Sequence, residues 1–141
     1  MKPDAAFPLP ELVSIEPATG ATLWRGAASD VDASVAAARS AWPRWAALHH
    51  GERIEKLRGY ANRVRAKGEA LADLIARETG KPLWEARNEV DAVVGKIDIS
   101  VRAYAERTPT RRIEGKPGAK GALRHKPHGV LAVLGPYNFP A

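Results

Sequence analysis

The chain contains no cysteine among its 141 residues. This absence excludes disulfide scaffolds, thiolate zinc sites and CxxC redox chemistry. It also excludes any reaction for which this polypeptide would supply a cysteine nucleophile by itself. The histidines offer no metal site instead, because His49, His50, His125 and His128 lack the HExxH spacing and an acidic partner pattern. We therefore predict that the chain holds no metal.

Long hydrophobic runs are also missing. The amino terminus carries Pro3, Pro8 and Pro10, so it has no unbroken apolar stretch to serve as the core of a signal peptide. The longest apolar run near the other end, Val130–Leu134, is far shorter than the roughly 20 residues that cross a bilayer. We therefore expect a cytoplasmic protein with no membrane segment.

Positive charge is concentrated in one segment. Residues 107–128 contain seven Lys and Arg and the single acid Glu114, an excess that equals the net charge of +6 on the whole chain. The segment has no Phe, Trp or Tyr on which bases could stack, and no helical periodicity that would align its charges along a groove. We therefore favour a solvated hairpin and expect no nucleic-acid partner, with a basic nucleic-acid-binding domain as the alternative.

The first part of the chain predicts a β-hairpin followed by a helix. Leu12–Glu16 and Ala21–Gly26 flank a turn cluster at residues 17–20. Ser29 or Asp30 then offers a helix N-cap. The apolar residues that follow at helical spacing are Val31, Val35, Ala38, Trp42 and Trp45. Because Pro43 removes one backbone hydrogen bond, we expect a kink or break near residues 41–42.

Two further helical stretches follow. Gly68 interrupts the apolar stripe that runs from Ile54 to Ile75 and can divide one helix into two. Gly80-Lys81-Pro82 predicts the end of one helix and the start of the next, since Gly favours the position after a helix and Pro the first turn. Glu85 and Glu89 lie four residues apart on the last helix, and we interpret them as a solvated flank in preference to an acid/base pair.

The carboxyl-terminal part differs from the helical part in amino-acid composition. Residues 111–121 are rich in Gly, Lys and Arg and predict an exposed loop or hairpin tip. Leu123–Lys126 predicts an edge strand, and Val130–Leu134, apolar on both faces, predicts a central parallel strand. Such a strand needs neighbours and covering helices. The pattern therefore predicts the front portion of a larger α/β protein.

The turn at residues 135–140 is the most specific segment. It follows the predicted strand at its carboxyl end, where doubly wound sheets bind ligands. Its Asn138 could donate two hydrogen bonds to an oxyanion. The alternative is that Asn138 is only a turn residue, because Asn tolerates tight-turn dihedrals. For the whole chain, the alternative to an enzyme is a non-catalytic interaction module built on the helices.

Residues 129–140, GVLAVLGPYNFP, resemble the strand-and-turn motif of the NAD(P)-dependent aldehyde dehydrogenase superfamily. Residues 42–45, 76–82 and 84–86 resemble that family's early helices in the same order. Residues 124–130, RHKPHGV, look most like its succinylglutamate-semialdehyde dehydrogenase branch, which serves arginine degradation. The similarity spans nearly the whole chain from about Ser14.

The resemblance implies a role for several residues. It assigns Asn138 to the oxyanion and the turn formed by Leu134, Gly135, Pro136 and Tyr137 to the nicotinamide end of NAD or NADP, with NAD favoured. It makes residues 107–128 part of an arm that pairs subunits in a homo-oligomer. Residues 1–141 would then be the amino-terminal fragment of a cofactor-binding domain. We expect this fragment to be inactive alone, because the family's cysteine, glutamate and second cofactor loop lie outside it.

Overall fold

The computed structural model describes residues 10–114 and 120–140. They form four helices and two separate antiparallel hairpins. In chain order the elements are β1 (Glu11–Ile15), β2 (Thr22–Ala27), α1 (Val31–Ala47), α2 (His50–Ala66), α3 (Gly68–Thr79), α4 (Leu83–Arg107), β3 (Arg111–Glu114) and β4 (Lys120–Leu123). Helices with short strands confirm an α/β composition.

The amino-terminal hairpin is confirmed. Strand β1 pairs antiparallel with β2 from Glu11 opposite Ala27 to Ile15 opposite Thr22. The turn closes through Gly20, whose backbone N–H donates to the Glu16 carbonyl at 2.9 Å. Gly20 has φ of 73°, a left-handed conformation that favours glycine. Local turn chemistry therefore determines this hairpin.

Helix α1 begins as expected but does not break. Its N-cap is Asp30, whose side chain accepts from the Ala33 backbone N–H at 2.9 Å. The helix then runs from Val31 to Ala47 as one element with Pro43 inside it, so the predicted break is wrong. The physical reason is that proline removes only its own N–H, and the hydrogen bonds on either side maintain the helix.

The divisions between the remaining helices are confirmed. Helix α2 ends at Ala66 and α3 begins at Gly68, with Lys67 as the junction. Helix α3 ends at Thr79, and its C-cap Gly80 has the left-handed φ of 73° typical of a glycine that terminates a helix. Pro82 then caps α4. These boundaries position Lys81 between two helix ends.

The buried core lies between α3 and α4. Its apolar members are Ala72, Ile75, Ala86 and Val90, with Val64, Leu71 and Ala76 packed around them. Two of the four are alanines, which lets the helix axes approach closely. Gly68 shows the same close approach, because a Cβ at that position would lie 3.7 Å from Val90 Cγ1. Ion pairs join the helices at the surface, Arg58 to Asp98 at 3.1 Å and Arg87 to Glu69 at 2.8 Å.

The predicted strands near the carboxyl terminus need correction. Val130–Leu134 is not a strand, and Leu131, Val133 and Leu134 are 74%, 81% and 95% exposed. Strand β4 ends at Leu123, so Arg124–Lys126 is not a strand either. The reason is that a β-strand is held by hydrogen bonds to neighbours, and within the described residues both sheets are two-stranded hairpins that leave 130–134 unpaired. The first strand of a doubly wound sheet is therefore not formed in this structure.

No helix in the described part of the chain combines the length and the apolar character that crossing a lipid bilayer requires.

Candidate functional site

An open cleft of about 500 Å³ lies between the end of α3, the start of α4 and the carboxyl-terminal turn. Its lining is mixed polar and aromatic. The residues that line it are Glu78, Thr79, Lys81, Glu85, Tyr137, Asn138 and Phe139. Asn138, the predicted oxyanion residue, is thus on the wall of a cleft and not inside packed hydrocarbon.

The turn that carries Asn138 is closed by one backbone hydrogen bond. The Phe139 N–H donates to the Pro136 carbonyl at 3.2 Å, which makes residues 136–139 a four-residue turn. No non-glycine residue in the described ranges has a positive φ. The turn therefore does not require asparagine for its backbone conformation, which weighs against a purely conformational role for Asn138. Its side-chain amide makes no hydrogen bond to any described residue.

Lys81 ties this turn to the helices. Its Nζ donates to Glu89 Oε2 at 2.6 Å and to the Asn138 backbone carbonyl at 2.8 Å. The same Nζ lies 4.8 Å from the centre of the Phe139 ring, within the range of a cation–π contact. The Lys81 and Glu89 side chains are 10% and 5% exposed. The partly buried Lys81–Glu89 ion pair therefore links α4 to the backbone of the candidate oxyanion residue.

The interpretation of Glu89 as part of a solvated flank is wrong. Glu89 is buried because Lys81 supplies the opposite charge and a hydrogen bond, without which a carboxylate is very costly to bury. Glu85, four residues earlier, lines the cleft. The sequence does show a lysine directly after the glycine that caps α3. Its contact with Glu89, however, depends on how α3 and α4 pack.

The segment before Lys81 attaches the amino-terminal hairpin. Glu78 Oε1 accepts from Ser14 Oγ at 2.7 Å and from Trp24 Nε1, so one carboxylate holds both strands of the hairpin. Arg77 Nε donates to Glu16 Oε1 at 2.7 Å just beyond the end of β1. Sequence reasoning missed Glu78, which also lines the cleft. Residues 77–81 thus join the hairpin, α4 and the turn at 136–139.

The Arg77 pair predicts a specific pH dependence. The hydrogen bond from Arg77, with a smaller one from Thr19, holds the pKa of Glu16 below its ordinary value of 4.5. Because this pKa is lower in the folded than in the unfolded chain, ionised Glu16 stabilises the fold above pH 4.5, and that contribution is lost as the pH falls below it. We expect Glu16→Gln to reduce the loss of stability between about pH 7 and about pH 3, measured by urea unfolding.

The matched control for this measurement is Glu55→Gln. Glu55 is exposed on α2 and forms no ion pair with the described residues, so its variant should keep the pH dependence of the parent. Equal pH profiles for Glu16→Gln and the parent would show that the Arg77 contact does not stabilise the protein.

The residues expected at the cofactor lie on exposed chain. Leu134 and Tyr137 are 95% and 93% exposed, and Tyr137 alone of the four lines the cleft. Apart from Gly135 and its two chain neighbours, no described residue has a heavy atom within 4 Å of the position that a Cβ would take there. Leu134 and Pro136 lie outside the cleft lining. The side of Gly135 on which a Cβ would lie is therefore uncovered in the described part of the chain.

The basic segment forms a hairpin, as expected. Strand β3 pairs antiparallel with β4, from Arg111 opposite Leu123 to Glu114 opposite Lys120, and both strands are exposed. Residues 115–119, which were expected to belong to an exposed loop or hairpin tip, lie outside the described residues. Exposed apolar side chains, Ile113 at 53% and Leu123 at 46%, accompany the arginines.

Metal ligands do not come together in the part of the chain that the structure describes. No three His, Asp or Glu side chains within residues 10–114 and 120–140 form a group that could hold an ion.

Comparison with known proteins extends these observations. The chain is 70% identical over 131 residues to N-succinylglutamate 5-semialdehyde dehydrogenase of Sphingopyxis alaskensis, an alignment that covers 93% of this chain and 27% of that protein. The crystal structure of PnpE from Pseudomonas sp. WBC-3 matches with a TM-score of 0.83 and 32% identity, covering 93% of this chain and 28% of that one. PnpE in complex with nicotinamide adenine dinucleotide matches with a TM-score of 0.74 and 30% identity, over 84% of this chain and 25% of that one.

The chain thus spans about a quarter of the length of these relatives. The sequence profile of the aldehyde dehydrogenase family matches residues 9–141, nearly the full sequence. This match confirms the resemblance that residues 129–140 and the early helices indicated. The chain belongs to the aldehyde dehydrogenase family.

Proposed function

We propose that this chain is the amino-terminal part of an NAD(P)-dependent dehydrogenase that oxidises succinylglutamate semialdehyde to the carboxylate. The proposal rests on one observation. Asn138 lines an open cleft, and its side-chain amide makes no hydrogen bond to the described residues. The substrate is proposed from the 70% identity to a relative named for that semialdehyde. The enzyme would act in the cytoplasm in arginine degradation.

The proposed role of Asn138 follows from the chemistry of aldehyde oxidation. Attack of a thiolate on the aldehyde carbon leaves a negative charge on the former carbonyl oxygen. An amide N–H that is already oriented towards that oxygen stabilises the charge without reorganisation. The thiol belongs to a cysteine outside these 141 residues, which contain none. A glutamate outside them would activate the water that releases the acid.

The cofactor is proposed to lie against the backbone of residues 134–137. The open space above Gly135 and the exposure of Leu134 and Tyr137 fit a planar ring at this position. When bound, the nicotinamide would accept the hydride from the substrate carbon. NAD or NADP suits this family, and we favour NAD because the similar PnpE structure contains it.

Subunit pairing is proposed for residues 107–128. The exposed β3–β4 hairpin presents Ile113 and Leu123 beside Arg111 and Arg112, a combination of apolar and arginine side chains that is common at protein interfaces. The full-length protein would then be a homo-oligomer, and its positive charge would serve assembly and not nucleic-acid binding.

The test is an assay of the full-length protein that contains this chain. We expect NADH absorbance to rise when the protein receives NAD and succinylglutamate semialdehyde. The 141-residue chain, assayed in parallel, should give no turnover, because without a cysteine it cannot form the covalent intermediate. Steady turnover by the 141-residue chain, or none by the full-length protein with this or other semialdehydes, would contradict the proposal.

A further inference from the structure

The ammonium group of Lys81 occupies an unusual position for a surface-type residue. The Lys81 side chain is 10% exposed, and that of its partner Glu89 is 5% exposed. Its Nζ has three N–H donors, of which one reaches Glu89 and one reaches the Asn138 carbonyl, while the Phe139 ring lies 4.8 Å away. Every one of these contacts lies at α4 or at the turn that carries Asn138.

A buried ion pair of this kind is not explained by stability alone. Burying two charges costs several kcal/mol of hydration, and apolar residues of similar volume often stabilise a protein equally well. What an ion pair adds is a directional contact with a defined geometry. Here the direction is defined, because Glu89 on α4 orients Nζ and Nζ in turn holds the backbone of the turn.

The turn itself has few other restraints. Among the described residues, its own hydrogen bond is the one from the Phe139 N–H to the Pro136 carbonyl, and Tyr137 is 93% exposed. The Asn138 side chain makes no hydrogen bond within the described chain. Within the described residues, the Lys81 contact is therefore the polar link between the Asn138 backbone and the helices.

We propose that Lys81 is a positioning residue that orients the Asn138 amide for oxyanion stabilisation, with Glu89 orienting Lys81. This inference rests on the proposed function. Lys81 acts through the backbone of Asn138 and does not touch the reacting atoms. Its contribution lies in keeping the amide donor within the narrow geometry that a developing oxyanion requires.

Lys81→Met in the full-length enzyme tests the inference first through kinetics. Methionine keeps the length and apolar stem of the side chain and removes the donor. We expect kcat to fall roughly 10- to 100-fold, as small misplacements of catalytic groups do, with KM for NAD changed less than about 3-fold. Lys81→Arg, which keeps a charged donor, should recover part of kcat. Lys96→Met, on the exposed side of α4, is the matched control and should leave kcat unchanged.

A double-variant cycle separates positioning from a general structural role. If Lys81 acts through Asn138, Lys81→Met should change kcat less than about 2-fold in an Asn138→Ala background. A purely structural lysine would lower kcat by the same factor in both backgrounds, and that result would overturn the inference. Equal kcat for Lys81→Met and the parent would overturn it as well.

Hydrogen exchange distinguishes failure of the inference from failure of the proposed function. We expect the peptide covering residues 136–139 to exchange faster in Lys81→Met than in the parent and in Lys96→Met. If the parent oxidises no aldehyde but this difference is present, the proposed function fails while the anchoring of the turn stands. If the parent is active and exchange at 136–139 is unchanged, the inference fails alone.

Discussion

Asn138→Ala in the full-length enzyme should lower kcat by about 10²- to 10³-fold, the typical loss when one donor is removed from an oxyanion site. Asn138 lines the cleft, and its side-chain amide makes no hydrogen bond to the described residues. Because the oxyanion exists only after nucleophilic attack, the loss should fall on kcat, and KM for the aldehyde should change little. Steady-state kinetics with NAD and the semialdehyde measures both constants.

Two further variants sharpen this prediction. Asn138→Asp keeps the shape of the side chain but brings a negative charge to the oxyanion, so its kcat should be at least as low as that of Asn138→Ala. Asn88→Ala removes an exposed amide from α4 and should leave kcat unchanged. The unfolding temperature should be the same for the parent and both Asn138 variants. Retention of kcat within about 3-fold in Asn138→Ala would show that the residue serves only the turn.

The elements that the sequence predicted well are those determined by neighbouring residues. Gly80 ends α3 because a left-handed residue is needed there, and Pro82 precedes α4 because its fixed φ suits a helix start. Asp30 caps α1 through a residue three positions away. Each of these signals lies within a few residues of the boundary that it defines.

The contacts that build the site have no such local signal. Lys81 and Asn138 are 57 positions apart, and Glu78 and Ser14 are 64 positions apart. Composition and periodicity cannot show that these groups meet, because the meeting depends on how α3, α4 and the hairpin pack. Asn138 could be selected as a candidate from the strand-and-turn pattern, whereas the lysine that anchors it could not.

The prediction of a strand at 130–134 is wrong for the same reason, because it too depends on contacts distant in sequence. Its apolar residues match the composition of a central strand, but composition supplies no hydrogen-bonding neighbour. Within the described residues both available sheets are self-contained hairpins, so Leu131, Val133 and Leu134 stay exposed. An apolar segment of this kind acquires strand structure only from pairing that lies outside the segment.

Glu89→Ala should be strongly destabilising. It leaves the partly buried Lys81 ammonium without this carboxylate, and breaking one half of a buried ion pair costs up to about 3–5 kcal/mol. Glu106→Ala removes an exposed carboxylate from the same helix and should stay within about 0.5 kcal/mol of the parent. Urea unfolding of the full-length enzyme gives both free energies. A loss below about 1 kcal/mol for Glu89→Ala would mean that water reaches Lys81 and that the pair is not buried in solution.

The double variant Lys81→Met with Glu89→Leu separates the two contributions of this pair. Removing both charges and filling their space with apolar atoms should restore most of the free energy of unfolding, because neither charge of the Lys81–Glu89 pair remains. It should not restore kcat, because methionine cannot donate to the Asn138 carbonyl. A stable but slow double variant is expected if the ion pair serves geometry. Recovery of both stability and kcat would show instead that the pair contributes only to folding.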